Sequence, residues 1–177
     1  MTKTDFFAPT VAIAAAAVSL TACATDNGEY EQQLRDALAQ ADVSLVEAIE
    51  VAESQTFVGS ARHAHLQVNG ERQFTASAFD QTASREYAIA LSGDITGENP
   101  IDLTGGSCGS KTLGELVAVA EAEVSGQGTS IELDDDEGCQ YEVQVLTSSD
   151  LMEVEVTGDG NVTEVEVSDN DGSSDDD

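Results

Sequence analysis

The sequence predicts an α+β protein made of two repeats, each with one helix packed on a three- to four-stranded antiparallel sheet. Two observations support this prediction. A segment with helical periodicity occurs twice, at residues 44–53 and 112–121, which is an offset of 68 residues. Each copy is followed by segments in which apolar and polar residues alternate, as in strands with one buried face. We therefore expect each helix to cover the apolar face of its own sheet.

The two helical segments share five of ten positions and begin with the same capping signal. Ser44 and Glu47 match a capping box in the first copy, and Thr112 and Glu115 match one in the second. In both copies the apolar residues recur three and four positions apart and form one stripe. This spacing predicts an amphipathic helix that packs by one side.

The strand pattern recurs as well, at an offset of 67 residues. Residues 73–78 align with residues 140–145, and both segments alternate with a period of two. The second copy is the more regular, with an aromatic residue or valine at every other position. Asn-Gly at 69–70 and Asp-Gly at 159–160 are typical of hairpin turns, so we expect antiparallel strands around them.

Together these elements resemble the PepSY domain family. The shared features are the helix pattern Leu-x-Glu-Ala-Ile-x-Val-Ala, the alternating central strand and the closing Asp-Gly turn. The resemblance covers residues 43–103 and 112–168, joined by a linker at 104–111. PepSY domains occur in propeptides of thermolysin-type metalloproteases and in secreted or membrane-bound bacterial proteins, and they are thought to bind or inhibit peptidases. The resemblance implies an extracytoplasmic protein without catalytic residues or cofactors that acts by binding a protein, with a peptidase as one class of partner.

Residues 1–22 have the organisation of a lipoprotein signal peptide. Lys3 precedes an apolar stretch over residues 6–20, which is too short to span a membrane. The sequence Leu-Thr-Ala-Cys at 20–23 then resembles the bacterial lipobox. We expect Cys23 to carry fatty acyl chains such as palmitate, which anchor the mature protein to a membrane. The alternative is an ordinary secretory signal in which Cys23 is incidental.

Residues 23–42 contain the predicted lipidated cysteine and a tether. Ala24 follows Cys23, and in the enterobacterial sorting pattern the lack of aspartate there favours the outer membrane. The predicted location is therefore the cell envelope, on the outer membrane and facing the periplasm. Leu34, Ala37, Leu38 and Ala41 recur at helical spacing. We expect a short amphipathic helix that docks on the first repeat.

The remaining cysteines, Cys108 and Cys139, predict a disulfide, because an even pair in an oxidising compartment is normally bridged. Cys108 precedes the second helix and Cys139 precedes a strand that runs back towards it. On the chain-entropy model this bridge stabilises the fold by roughly 3–4 kcal/mol. The alternative is that Cys108 is a nucleophile served by a histidine, which requires a long-range alignment.

The charge balance restricts the classes of partner. Asp and Glu number 35 against 6 Lys and Arg, a net charge of −29. Nucleic acid is excluded because no basic cluster is available to neutralise phosphates. The same repulsion limits membrane contact to the lipid anchor. A protein partner should present a basic surface, because complementary potentials speed association.

Acidic runs at 134–137 and 169–177 raise a second hypothesis for the function. We expect the first run to be a solvated face and the second to be an acidic disordered tail. Carboxylate oxygens are ligands for Ca²⁺, so weak Ca²⁺ binding is compatible with these runs. The alternative function is therefore a divalent-cation-binding or structural lipoprotein of the cell envelope.

Two further motifs have simpler interpretations than the sites they resemble. Residues 105–112 nearly match a P-loop, but Ser110 replaces the second glycine and no apolar strand precedes the segment. We interpret it as part of the linker. His63 and His65 share one strand face, a geometry that metals use, but the sequence shows no third ligand. We expect two exposed strand residues there and no metal site.

The lipobox hypothesis makes a direct prediction. Cys23→Ser removes the thiol that receives the lipid, so the protein should be released from membranes or retained as an unprocessed precursor. Fractionation of cells, together with the mass of the mature N-terminus, measures this. A processed variant that still fractionates with membranes like the wild type would contradict the hypothesis.

Overall fold

The computed structural model describes residues 26–56, 60–79, 83–102, 108–134 and 138–168. In these ranges the chain is α+β, with three helices and one antiparallel sheet of eight strands. Cys23, the predicted signal peptide and the acidic tail lie outside the described residues. The helices are α1 (Asp26–Leu38), α2 (Leu45–Ser54) and α3 (Leu113–Val124), and the strands are β1 (Ser60–Gln67), β2 (Gln73–Phe79), β3 (Ser84–Ala90), β4 (Ile95–Ile101), β5 (Gln127–Asp134), β6 (Gln140–Leu146), β7 (Leu151–Thr157) and β8 (Val162–Val167).

Local signals place the starts of α2 and α3 as predicted. The Ser44 hydroxyl accepts a hydrogen bond from the Glu47 N–H, and the Glu47 carboxylate accepts one from the Ser44 N–H. Thr112 and Glu115 form the same reciprocal pair before α3. Both capping boxes are therefore confirmed. They satisfy N–H groups that the helices would otherwise leave unpaired.

All eight strands form one sheet in the order β4-β3-β2-β1-β5-β6-β7-β8. The sheet is larger than predicted, because β1 pairs with β5. In this pairing, which we call the seam, Ala64 lies opposite Ile131 and His65 lies opposite Ser130. Two separate sheets would have four edges with unpaired N–H and C=O groups, and such edges invite aggregation. The seam removes two of those edges.

α2 and α3 contact each other and cover the same face of the sheet. α2 packs on β1, β2 and β5, whereas α3 packs on β5, β6, β7 and β1. Each helix therefore reaches across the seam, and the core beneath them is continuous. The largest fully buried side chains come from both halves of the chain: Tyr141, Phe74, Leu34, Leu45, Ile49, Ile89, Leu116, Ile131, Leu151, Val117, Val143 and Val145.

Two glycines allow α2, α3 and β5 to approach one another closely. A Cβ on Gly114 of α3 would lie 3.2 Å from Cγ1 of Val46 on α2. On β5, a Cβ on Gly128 would lie 2.6 Å from Cγ1 of Val117, closer than real Cβ contacts. A side chain at Gly128 would therefore push α3 away from the sheet.

α1 docks at the end of the sheet where β6 turns into β7. Its Arg35 side chain donates a hydrogen bond to the Thr147 carbonyl at 2.6 Å, and Glu31 accepts one from the Leu151 N–H at 3.4 Å. The prediction that this helix docks on the first repeat is therefore wrong. The apolar pair Leu146–Leu151 explains the position, because both residues belong to the buried cluster that contains Leu34 of α1.

The seam makes a stability prediction. Ile131→Ala removes a fully buried side chain between the two halves, so the free energy of unfolding should fall by about 2–5 kcal/mol. Because the core is continuous, we expect one cooperative unfolding transition. Ile95→Ala on β4 is the matched control, since Ile95 is 38% exposed. If denaturant melts show equal losses for the two variants, the seam does not lie in the core.

Candidate functional site

The candidate site lies on the face of the sheet turned away from α2 and α3, which we call the polar face. The cross-strand register puts His65, Ser130, Gln144 and Glu153 on this face in one row. The opposite face carries their apolar neighbours, such as Ile131, which the helices bury. Because side chains alternate along each strand, the same sequence that builds the core also builds this polar surface.

Between β5 and β8 the polar face is lined with carboxylates. One row runs across four strands through Glu132, Glu142, Glu155 and Glu164, each paired with the next. Glu153 and Glu166 form a shorter parallel row. We call these six residues the acidic face. Residues 112–177 contain 20 Asp and Glu and no Lys or Arg, so no basic residue from this part of the chain neutralises the face.

Crowding on the acidic face changes how two of its carboxyls titrate. Partial burial, together with the charges of Glu142, Glu166 and Glu155, raises the pKa of Glu153 to about 7. Burial and the nearby Glu132 charge also raise the pKa of Glu142, while a hydrogen bond with Glu153 opposes that rise. The two groups therefore hold a proton between them near neutral pH. A cation placed here would release it.

The other half of the polar face carries two histidines, His63 and His65, which are partly buried by the neighbouring strands and not exposed as predicted. The rings of His63 and His65 stack with centroids 5.3 Å apart, and Nε2 of His63 lies 3.2 Å from Nδ1 of His65. Burial and the neighbouring Arg62 lower the pKa of His63. Burial and His63 lower the pKa of His65, against the opposing charge of Glu86. Both imidazoles are therefore mostly neutral at pH 7.

A buried hydroxyl lies next to the histidines. Ser77 on β2 lies between His63 on β1 and Glu86 on β3 in the register. It is 0% exposed, and its Oγ has no hydrogen-bond partner among the described residues. The three residue types resemble a hydrolytic triad, but Ser77 lacks the contact with a base that activates a nucleophile. The sequence offered no signal for Ser77, because its burial depends on long-range strand pairing.

Cys108 and Cys139 form the predicted disulfide, with Cα atoms 5.6 Å apart. Tyr141 fixes the bridge by accepting a hydrogen bond from the Cys108 N–H and donating one to its carbonyl, both at 3.2 Å. A Cβ on Gly158 would lie 2.4 Å from Sγ of Cys139, so this position requires glycine. With its sulfur bonded to Cys139, Cys108 has no free thiol for the alternative role of nucleophile.

The segment that nearly matches a P-loop holds the start of α3 instead of forming a phosphate cradle in its described part. The N–H groups of Ser110 and Lys111 donate to the Gly158 carbonyl at 3.0 and 3.2 Å. The Ser110 hydroxyl also donates to Asp159 at 2.9 Å. These contacts tie residues 108–111 to the β7–β8 turn, so the backbone N–H groups of Ser110 and Lys111 are already used.

In the five described ranges, no group of three or more His, Cys, Asp or Glu side chains is arranged to hold a metal ion. None of the helices described has both the length and the apolar character needed to cross a membrane. Asp135 to Glu137 and the tail at 169–177, which contain most of the acidic runs singled out in the sequence, lie outside the described residues.

A cleft of about 550 Å³ lies between α1, the end of α3 and the β6–β7 turn. Arg35 is the charged residue in its lining. Its guanidinium already bonds the Thr147 carbonyl and lies 3.5 Å from the Glu31 carboxylate. The cleft is therefore part of the α1 docking contact, and the acidic face remains the stronger candidate site.

No family model matches the chain, and no curated protein matches it. Among solved structures, the chain is similar to a protein of Clostridium difficile 630 that is provisionally described as a lipoprotein. The two share 15% identity with a TM-score of 0.41, covering 62% of this chain and 83% of the other. At this TM-score the similarity carries no inference about fold or function.

The Glu153 carboxyl predicts a pH dependence of stability. Because folding raises its pKa from 4.5 to about 7, its contribution is complete below pH 4.5 and is lost as the pH rises through about 7. Glu153→Gln keeps the neutral form at every pH. The melting temperature of the variant should therefore lie roughly 2–4 °C above that of the wild type at pH 8. This difference in melting temperature should shrink towards pH 4.5.

Glu71→Gln is the control for this experiment, because Glu71 is an exposed carboxylate in the β1–β2 turn. It removes the same charge without touching the acidic face. Thermal melts of the three proteins at pH 4.5, 6 and 8 make the comparison. A Glu153→Gln gain that is equal at all three pH values, or matched by the control, would refute the shared proton.

Proposed function

We propose that this protein is a lipid-anchored envelope protein that binds a protein partner through its acidic face. The observation that supports this most directly is the set of aligned glutamates on β5 to β8. Placing like charges opposite one another across strands is destabilising. An arrangement that costs stability and serves no packing role is typical of a binding surface, since functional residues commonly break local rules.

The charge of the face defines the partner. Six carboxylates without a basic neighbour on the same strands favour a surface rich in Lys and Arg. Such a partner would be steered to the face by long-range attraction and would release the proton held near Glu142 and Glu153. The same field repels nucleic acid and anionic lipid, so membrane contact would pass through the anchor alone.

The location is proposed from the sequence and is compatible with the disulfide. The lipobox at 20–23 would place acyl chains on Cys23, and Ala24 favours the outer membrane, with the folded part facing the periplasm. The Cys108–Cys139 bridge suits an oxidising compartment.

We also propose that the chain contains two PepSY-like units and that a peptidase is the partner class to test first. Support comes from the element order, because α2 precedes β1 to β4 and α3 precedes β5 to β8. Both helices begin with a capping box at the equivalent position. In this proposal the seam fuses the two units edge to edge, and the protein acts by binding or inhibition and not by catalysis.

Crosslinking in whole cells tests the function. A photoreactive amino acid at Glu164, an exposed end of the long row, should capture a protein with a basic surface. The same group at Glu123, exposed on α3, is the control and should capture much less. Capture at Glu164 should fall when three other carboxylates of the face are neutralised together: Glu132→Gln, Glu142→Gln and Glu155→Gln.

A second triple variant tests whether the effect is local. It removes the same charge at exposed positions away from the face: Glu29→Gln, Glu50→Gln and Glu71→Gln. This variant should keep its crosslinks and should fractionate with the envelope as the wild type does. The absence of any protein captured at Glu164, or equal capture at Glu123, would contradict binding through the acidic face.

A further inference from the structure

The edge strand β8 differs from the opposite edge of the sheet. β4 contains Gly97 and Pro100, which weaken strand pairing or remove a donor. β8 has the sequence Val-Thr-Glu-Val-Glu-Val, which contains neither residue type. It has high β propensity and none of the lysines or prolines that commonly protect edges. In the described part of the chain no strand pairs with its outer side.

The outer side of β8 offers free backbone groups at two positions. The Ser168 N–H donates to the Leu151 carbonyl on β7 at 2.9 Å, so residues of the same parity, Glu166 and Glu164, also point towards β7. Backbone direction alternates along a strand. The N–H and C=O groups of Val165 and Val167 therefore point away from the sheet.

The apolar and the acidic side chains of β8 lie on opposite faces of the sheet. Val165 is 40% exposed and Val167 is 56% exposed, and both lie on the face that carries α3. α3 itself packs on β5, β6 and β7. Glu164 and Glu166 lie on the other side, where the two carboxylate rows reach the edge. A strand added here would meet valines on one face and carboxylates on the other.

We propose that β8 accepts an extended segment of the partner as a ninth strand, with apolar residues alternating with Lys or Arg. The apolar residues would cover Val165 and Val167, and the basic residues would pair with Glu164 and Glu166. The proposal rests on the proposed function and specifies how the partner binds. A second copy of this chain fits poorly, because it would bring glutamates opposite glutamates across the new pairing.

The probe is a labelled peptide of about ten alternating lysines and valines, titrated into the mature protein in low salt. Binding should weaken about tenfold for a peptide of the same composition without the alternation, because its valines and lysines cannot face opposite sides. Methylating the backbone nitrogens of either the valines or the lysines distinguishes the two edges of the bound strand. One set should abolish binding and the other should not, since a strand directs alternate N–H groups to opposite edges.

Protein variants test the same edge. Val165→Pro removes an outward N–H and leaves the bonds to β7, so affinity should fall about tenfold. Ile95→Pro is the control, because Ile95 is exposed to a similar degree, 38%, on the opposite edge and should leave affinity unchanged. The two N-methylated peptides provide the same test without altering the fold of the protein.

Three outcomes would overturn the edge proposal. In the first, the alternating and rearranged peptides bind equally well, and both lose affinity for the triple variant at Glu132, Glu142 and Glu155. This result would still support binding to the acidic face but would exclude strand addition. Equal effects of the two N-methylation patterns would also exclude it. Dimerisation of the free chain that Val165→Pro abolishes would assign the edge to a second copy instead.

Discussion

The pairing of β1 with β5 is the contact that joins the two halves of this structure into one sheet with one core. It is short, with Ala64 opposite Ile131 and His65 opposite Ser130. Through it, α2 and α3 lie side by side over one core. The polar side chains of both halves then lie on the opposite face of the same sheet. It also determines which strands become edges, because β4 and β8 are then the ends of the sheet. The acidic face and the free edge on β8 come from the pairing of β5 to β8, and the seam joins them to the rest of the sheet.

The half of the sheet with the acidic face needs support against its own charge. Carboxylates on neighbouring strands repel one another, and Glu142 and Glu153 reduce that repulsion by holding a proton. The disulfide from Cys108 to Cys139 and the hydrogen bonds of Tyr141 tie the start of α3 to β6. The large buried side chains of β6 and β7 add apolar burial. These contacts stabilise a surface whose charges alone would oppose folding.

Local features of the fold could be predicted from the sequence because their causes are local. Ser44 with Glu47 and Thr112 with Glu115 are within one helical turn, and the Gly70 and Gly160 turns require only their positive φ angles of 93° and 85°. The seam could not be predicted, because β1 and β5 lack any pattern that distinguishes pairing with each other from being edges. The docking of α1 depends on contacts with residues more than a hundred positions away, and the position of Ser77 depends on the register of β2 with β1 and β3.

The candidate site was partly visible in the sequence. The Cys108–Cys139 pair followed from the predicted directions of α3 and β6. The aligned glutamates could have been found from the alternation on β6, β7 and β8, but the contiguous runs at 134–137 and 169–177 dominate the sequence. Carboxylates that are adjacent along the chain can be read from the sequence. Carboxylates that lie opposite one another on neighbouring strands can be identified only when the register of those strands is known. The pairing of Glu142 with Glu155 shows this, since the two residues are thirteen positions apart in the sequence.

Amide hydrogen exchange across the seam tests the central claim most directly. If β1 and β5 are interior strands of one cooperative sheet, the amides that bond across the seam should be protected as strongly as those between β1 and β2 or between β5 and β6. They should then exchange only through global unfolding. Seam amides that exchange far faster than those two groups would show that the halves separate while each stays folded, and that result would contradict a single shared core.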